Sequence, residues 1–142
     1  MKNVFLICVG KLKSDVFKKT EHSILKNSRA RYNLRIIEVD SEKNHNIDRE
    51  SEVEIIKEKE ADRILKSIPN GCFVVTLEIT GKKTDSLPDL IDDIDKDVCI
   101  IIGGSVGLSV KVSKISDMRI SFSDMTFPHA LVRQIVLEQL MK

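Results

Sequence analysis

Five short runs of the chain are rich in β-branched residues: VFLICV (4–9), LRIIEV (34–39), CFVVTLE (72–78), VCIII (98–102) and MRISF (118–122). Several are apolar from end to end. A strand with one wet face alternates apolar and polar residues. A strand that is apolar throughout needs cover on both faces, as it has in a parallel sheet flanked by helices. The intervening stretches carry the helical period. Residues 15–31 place Phe17, Ile24, Leu25 and Ser28 on one side, and 49–68 repeat Val53, Ile56, Ala61, Ile64, Leu65 and Ile68 at three and four. In 86–94, Ser86 stands where a cap belongs and Pro88 lies inside the first turn; a weaker helix follows Gly107. The last helix opens at Pro128 and carries Leu131, Ile135, Val136 and Leu140. This alternation predicts an α/β fold, a five-stranded mainly parallel sheet with helices on both faces.

The chain has 142 residues, the length of one domain, and about two thirds of its unfolded surface can be buried without metals or disulfides. A single domain over 1–142 is expected. With 42% apolar and 32% charged residues, the balance is that of a globular protein and not of a disordered one. No stretch approaches the ~20 apolar residues of a membrane helix. The opening MKNVFLICVGK reads as a first strand, because its apolar run is too short for a signal peptide and no small-residue cleavage site follows. Cys8, Cys72 and Cys99 each sit inside an apolar run, where a free thiol acts as a small hydrophobe, which suits a reducing cytoplasm. There is no Cys-x-x-Cys and no metal-ligand spacing, so no metal is expected. Net charge is only +1, yet it is uneven. Lys11, Lys13, Lys18, Lys19, Lys26, Arg29, Arg31 and Arg35 face only Asp15 and Glu21 within 11–35, whereas 85–97 holds six Asp against one Lys. Such a basic stretch is either a footprint for a polyanion or the solvated face of a helix.

In parallel sheets ligands bind beyond the carboxyl ends of the strands. The loops after the third, fourth and fifth strands therefore matter most: LEITGKKTDS, IIGGSVGLS and SFSDMTFPH. Gly103, Gly104 and Gly107 would let a ligand approach the backbone closely, or would simply permit a tight strand-to-helix turn. Their spacing matches neither Gly-x-Gly-x-x-Gly nor a P-loop, and they follow the fourth strand rather than the first, which argues against a phosphate cradle.

Taken together, TLEITGK, IIGGSVGLS and SFSDMTFPHALVRQIVLEQ, with VGKLK and IIEV near the start, resemble the ribosomal RNA large subunit methyltransferase H family of SPOUT methyltransferases. These enzymes modify N3 of pseudouridine in 23S ribosomal RNA. The likeness runs nearly end to end. It implies S-adenosylmethionine as cofactor, a homodimer, 23S ribosomal RNA in the ribosome as substrate, and a C-terminal trefoil knot in which the last strand, loop and helix thread an earlier loop. Packing rules alone would not propose a knot. Carried over by position, Leu77, Gly103 and Gly104 line the cofactor, and Phe122, Ser123, Asp124, Met125, Thr126 and Phe127 wrap it. An adenosyl group bearing a sulfonium amino acid suits such a slot, built of backbone groups and apolar side chains.

The acceptor nitrogen carries a proton that must leave, so a base or a positive field is expected nearby. His129, just after Pro128 at the opening of the last helix, where the dipole favours neutral imidazole, is the candidate base; a packing role is the alternative. Arg133, one turn on, is the second catalytic candidate, and would meet phosphate or hold the dimer. His22 and His45 sit among charged residues and read as surface. The family pattern continues past this helix with a Tyr-Arg-Ala segment and a tail bearing a Tyr-His pair, and is longer after Gly81, so Ser86 matches it only loosely. The expectation is thus a form without that tail: either an active methyltransferase, or a cofactor- or RNA-binding dimer module with impaired catalysis. A flavodoxin-like or response-regulator reading is disfavoured, because VGKLKSD after the first strand is basic where a receiver domain clusters acids.

Overall fold

Along the chain run β1 (Asn3–Val9), α1 (Asp15–Lys26), β2 (Asn33–Val39), α2 (Glu50–Ser67), β3 (Phe73–Lys83), α3 (Leu87–Asp92), β4 (Val98–Ile102), α4 (Val110–Ile115), β5 (Met118–Ser121) and α5 (His129–Leu140). The computed structural model describes residues 1–26, 31–42 and 50–141. Ser28, Arg29, His45 and Arg49, each singled out in the sequence, lie outside them.

The strands form one five-stranded sheet in the order β2-β1-β4-β3-β5, and each of the pairings is parallel. The expected sheet is present, and parallel throughout. Alternate residues of each strand serve opposite cores. Val4, Leu6, Cys8, Ile100 and Ile102 pack with Leu87 and Ile91 of α3 and with Val136, Leu137 and Leu140 of α5. Ile7, Val9, Cys99 and Ile101 pack with Ala61 and Ile64 of α2 and Val112 of α4. Central β4 is buried at every residue, which is why its sequence, VCIII, shows no alternation. Burial pushes the thiols of Cys8 and Cys99 up to about 12, so both are inert apolar filling and not nucleophiles.

Side chains secure the amino ends of the strands. Asp97 accepts from the Asn3 amide at 3.0 Å and from its side-chain amide at 3.1 Å, and these bonds hold its carboxyl below the usual range. Asp117 accepts from the Val74 amide at 2.8 Å. The Lys2 ammonium donates to the carbonyl oxygens of Ile91 and Ile94 at the end of α3, where a cation meets the unpaired carbonyls and the negative end of the helix dipole. At the other end of α3, the Ser86 hydroxyl accepts from the Asp89 amide at 3.4 Å, the cap its position in the sequence suggests.

Two features were not expected. First, β3 extends past the predicted 72–78. It pairs with β5 through Leu77 opposite Ile120, leaves the register, and rejoins with Lys82 opposite Ile120 and Lys83 opposite Ser121. Gly81 ends this excursion lying on the backbone of β5: a Cβ there would fall 2.6 Å from the Ile120 nitrogen and 2.7 Å from the Arg119 carbonyl carbon. Second, α5 does not stay beside β5 at the sheet edge. It returns to pack against α1, α3 and β4. Arg133 fixes it there. The guanidinium donates to both oxygens of Glu21 on α1, at 3.0 and 3.1 Å, and to Glu38 on β2 at 2.7 Å.

The crossing at Gly81 has a measurable consequence. Gly81→Ala should cost about 3 kcal/mol, the upper part of the usual overpacking range, because the atoms it meets are backbone and cannot swing away. Gly71→Ala, at φ +80° with nothing within 4 Å, should cost only the ~1 kcal/mol of left-handed backbone strain. Denaturant midpoints of the two variants check this, and equal losses would show that the crossing relaxes freely.

Candidate active site

The middle of β3 where it leaves the register of β5, the carboxyl ends of β4 and β5 and the start of α5 enclose a cavity of about 550 Å³, within the range of about 300 to 1,000 Å³ typical of small-molecule sites. Each wall follows from one strand. Leu77 is the last β3 residue before the excursion. Beyond β4, Gly103 and Gly104 begin a turn closed by the Gly107 amide on the Gly104 carbonyl at 3.1 Å, with Gly107 at φ +81°. Beyond β5, Phe122, Ser123, Met125, Thr126 and Phe127 line the cavity, and His129 closes it at the first residue of α5.

The loop after β5 holds its own shape. The Ser121 hydroxyl donates to the Ser123 carbonyl at 2.8 Å and accepts from the Ser123 amide at 3.3 Å, while the Ser123 hydroxyl accepts from the Met125 amide at 3.0 Å. Short hydroxyl side chains bonded to neighbouring backbone produce such a self-bracing turn. Asp124 points elsewhere: it is absent from the cavity wall and pairs with Lys83 at 2.9 Å on the surface. Met125 is 68% exposed and forms the rim. The two glycines serve the turn first. A Cβ on Gly103 would lie 3.0 Å from Gly107 and from the Leu108 side chain, and one on Gly104 would lie 3.0 Å from Val9.

Arg133 does not reach this cavity. Its side chain is 9% exposed and engaged by Glu21 and Glu38, so within the chain it organises α5 instead of facing a ligand. His129 is exposed and lies at the wall.

Other residues lining the cavity were not anticipated. Glu78 has one carboxylate oxygen fixed by the hydroxyls of Thr76 at 2.7 Å and Ser113 at 3.0 Å, which aims a carboxylate along the wall. Its place immediately after Leu77 was the available signal. Leu108 and Lys57 also contribute. Lys57 comes from α2, and nothing in sequence spacing brings that helix here. Beneath the glycine turn lies Glu60, 4% exposed. One of its oxygens accepts from the Glu42 amide at 3.0 Å. The other has no partner among the described residues and would sit 3.4 Å from a Cβ on Gly104. Burial raises its pKa.

A family model described as predicted SPOUT methyltransferase matches residues 2–142. The chain belongs to the SPOUT methyltransferase family. Among curated relatives, a protein of Methanococcus maripaludis provisionally named ribosomal RNA large subunit methyltransferase H is 44% identical, covering 97% of this chain and 91% of the relative. The proteins of Clostridium tetani and Clostridium novyi that carry that name outright are 40% and 38% identical over the same shares. The knotted fold expected from the motifs is the fold of this SPOUT family, and the return of α5 across the sheet agrees with it. SPOUT methyltransferases generally use S-adenosylmethionine, and the donor set of this cavity fits it. Leu77, Leu108 and Phe122 offer apolar surface for an adenine, the loops at 103–105 and 121–126 offer backbone groups, and Glu78 offers an acceptor for hydroxyls. No helix among the described residues is long and apolar enough to cross a membrane.

Glu60 gives this SPOUT methyltransferase a pH signature. Its pKa in the folded chain lies above the ordinary 4.5, so folding favours the protonated acid. Stability present below that ordinary value is lost as pH rises through the raised one. Glu60→Gln keeps an acceptor for the Glu42 amide and cannot ionise. Its stability, followed by denaturant melts from pH 4.5 upward, should fall less steeply than that of the wild type. Parallel curves would show that the carboxyl of Glu60 titrates alike in the folded and the unfolded chain.

Proposed function

We propose that this chain is an S-adenosylmethionine-dependent methyltransferase acting on N3 of a pseudouridine in 23S ribosomal RNA, working as a homodimer. One observation carries the reading: a single cavity gathers Leu77, Gly103, Gly104, Phe122, Ser123, Met125, Thr126 and Phe127 from three separate strands and the loops that follow them, in a chain whose relatives bear the name ribosomal RNA large subunit methyltransferase H. Bound there, the cofactor supplies a methyl group on a positively charged sulfur. The protein's own work is holding and orienting. Leu77, Leu108 and Phe122 exclude water from one side, and the braced loop at 121–126 presents its backbone without needing to reorganise, which is how positioning gains rate.

His129 is the residue proposed to take the acceptor's proton. Among the described residues it is the one histidine on this wall, at a helix start whose cap, Pro128, makes no side-chain hydrogen bond. Arg133 is proposed as a positioning residue. Through Glu21 and Glu38 it fixes the helix that carries His129. The homodimer draws its support from α5 and α1, whose outward residues Leu131 and Ile135 are only half-buried and whose Val16 is 73% exposed, apolar area suited to a second copy.

Gly103→Val drives a branched side chain into Leu108 on the wall, and calorimetry should show S-adenosylmethionine binding at least about tenfold weaker, the loss of some 1.4 kcal/mol. Unchanged affinity would move the site elsewhere. His129→Ala should slow methyl incorporation into ribosomes by about 10²- to 10⁴-fold, as expected for a general base, with cofactor affinity little altered. A wild-type rate in that variant would leave the histidine a packing role.

A further inference from the structure

Methyl transfer needs the acceptor atom to approach from the side away from sulfur, so the acceptor must occupy space that adjoins the cofactor cavity without overlapping it. A second cavity, of about 690 Å³, does adjoin it. The two share Gly104, Ser105 and His129 as common wall. Resting on the function proposed above, we infer that this second cavity, at the carboxyl ends of β1 and β2, receives the flipped-out acceptor nucleotide, with the ring of Phe17 as its stacking surface and Lys11 and Lys13 holding the flanking phosphates.

The lining suits a nucleotide. The turn that builds it starts at Gly10, at φ +90°, with its amide on the Val39 carbonyl at 2.8 Å. Such a turn takes the chain sharply off β1 and sets Lys11, Lys13 and Ser14 around the opening, while α1 contributes half-buried Phe17. A base must leave its stack to be modified, and enzymes receive it between apolar or aromatic groups with hydrogen-bonding groups at its edge. Ser14 and Ser41 stand in the lining as such groups. Among the described residues one acid, Glu42, also lines the cavity, and its carboxylate is drawn off by Arg63 at 2.7 Å and Lys59 at 3.3 Å. The two lysines therefore set the local field. His129 on the shared wall is then the group that faces both compartments.

The test uses the full chain and unmethylated large ribosomal subunits, reading RNA binding, methyl transfer and S-adenosylmethionine affinity separately. Ser41→Leu fills the cavity from the β2 side, and Phe17→Ala removes the stacking surface. Each should weaken subunit binding and raise KM about tenfold or more, with cofactor affinity and melting behaviour near wild type. The paired change Lys11→Ala and Lys13→Ala should flatten the slope of log affinity against log salt by about 1.4 to 1.8, two phosphates at 0.7 to 0.9 each. Wild-type binding in Ser41→Leu and in Phe17→Ala, together with an unchanged salt slope in the lysine pair, overturns the assignment. A wild-type chain that binds subunits but transfers no methyl counts against the proposed function and not against this cavity, which stands or falls on the binding of the variants.

Discussion

The last helix has to cross the sheet. β5 lies at one edge, yet Val136, Leu137 and Leu140 of α5 are wholly buried against β1 and β4 at its centre. Burying three such side chains is worth several kcal/mol, and a sheet edge, flanked on one side only, gives less cover than its centre. The connection at 122–128 must therefore run over the carboxyl end of the sheet, past the end of β4 and the glycine turn. That path is also what makes a cavity. The same loop that brings α5 home lays Phe122, Thr126 and Phe127 opposite Leu77 and Gly103. Architecture and site come from one constraint, the burial of α5 away from the strand that precedes it.

The fold could be read from the sequence wherever burial was complete. Runs such as VCIII and VFLICV announce strands covered on both faces, and the helical periods between them announce the covers. The exact ends could not be read in the same way. The extension of β3 through Lys83 consists of ITGKK, which has no strand pattern, because its pairing depends on β5 some forty residues later and on the missing side chain at Gly81. Period-based reading sees local pattern, and a crossing of two distant segments leaves none. The knot became expected only through family motifs, since ordinary packing rules argue against one.

For the site, the residues that rest on loop chemistry could be identified and those that rest on direction could not. Phe122, Ser123, Met125, Thr126 and Phe127 line the cavity as a group, but Asp124, in the middle of the run, turns outward to Lys83. A braced turn sends successive side chains to different sides, and only coordinates say which. Arg133 shows the same limit at longer range. One turn from His129 on a helix, it is placed by sequence to serve the same space. Helical geometry puts a residue four on along the same face, yet the pull of two carboxylates, Glu21 and Glu38, brought from α1 and β2, decides where the guanidinium goes.

The two buried charged groups nearest the site are treated in opposite ways. Arg133 is taken from water and given two carboxylates, with bonds at 2.7 to 3.1 Å. Removing a partner from such a buried set usually costs about 3 to 5 kcal/mol, the scale that keeps a helix immobile. Glu60 is taken from water and given one backbone amide, with its other oxygen unpaired among the described residues, under Gly104. A buried polar atom left unsatisfied costs about 1 to 3 kcal/mol, and natural cores rarely keep one without reason. So the wall carrying His129 is rigidly anchored, while the glycine turn opposite rests on a carboxyl whose protonation changes what lies beneath it. Preorganisation belongs on the side that must hold geometry against the reacting groups. The glycine side is where the molecule tolerates an unsatisfied group, and departures of that kind gather at functional sites more than elsewhere.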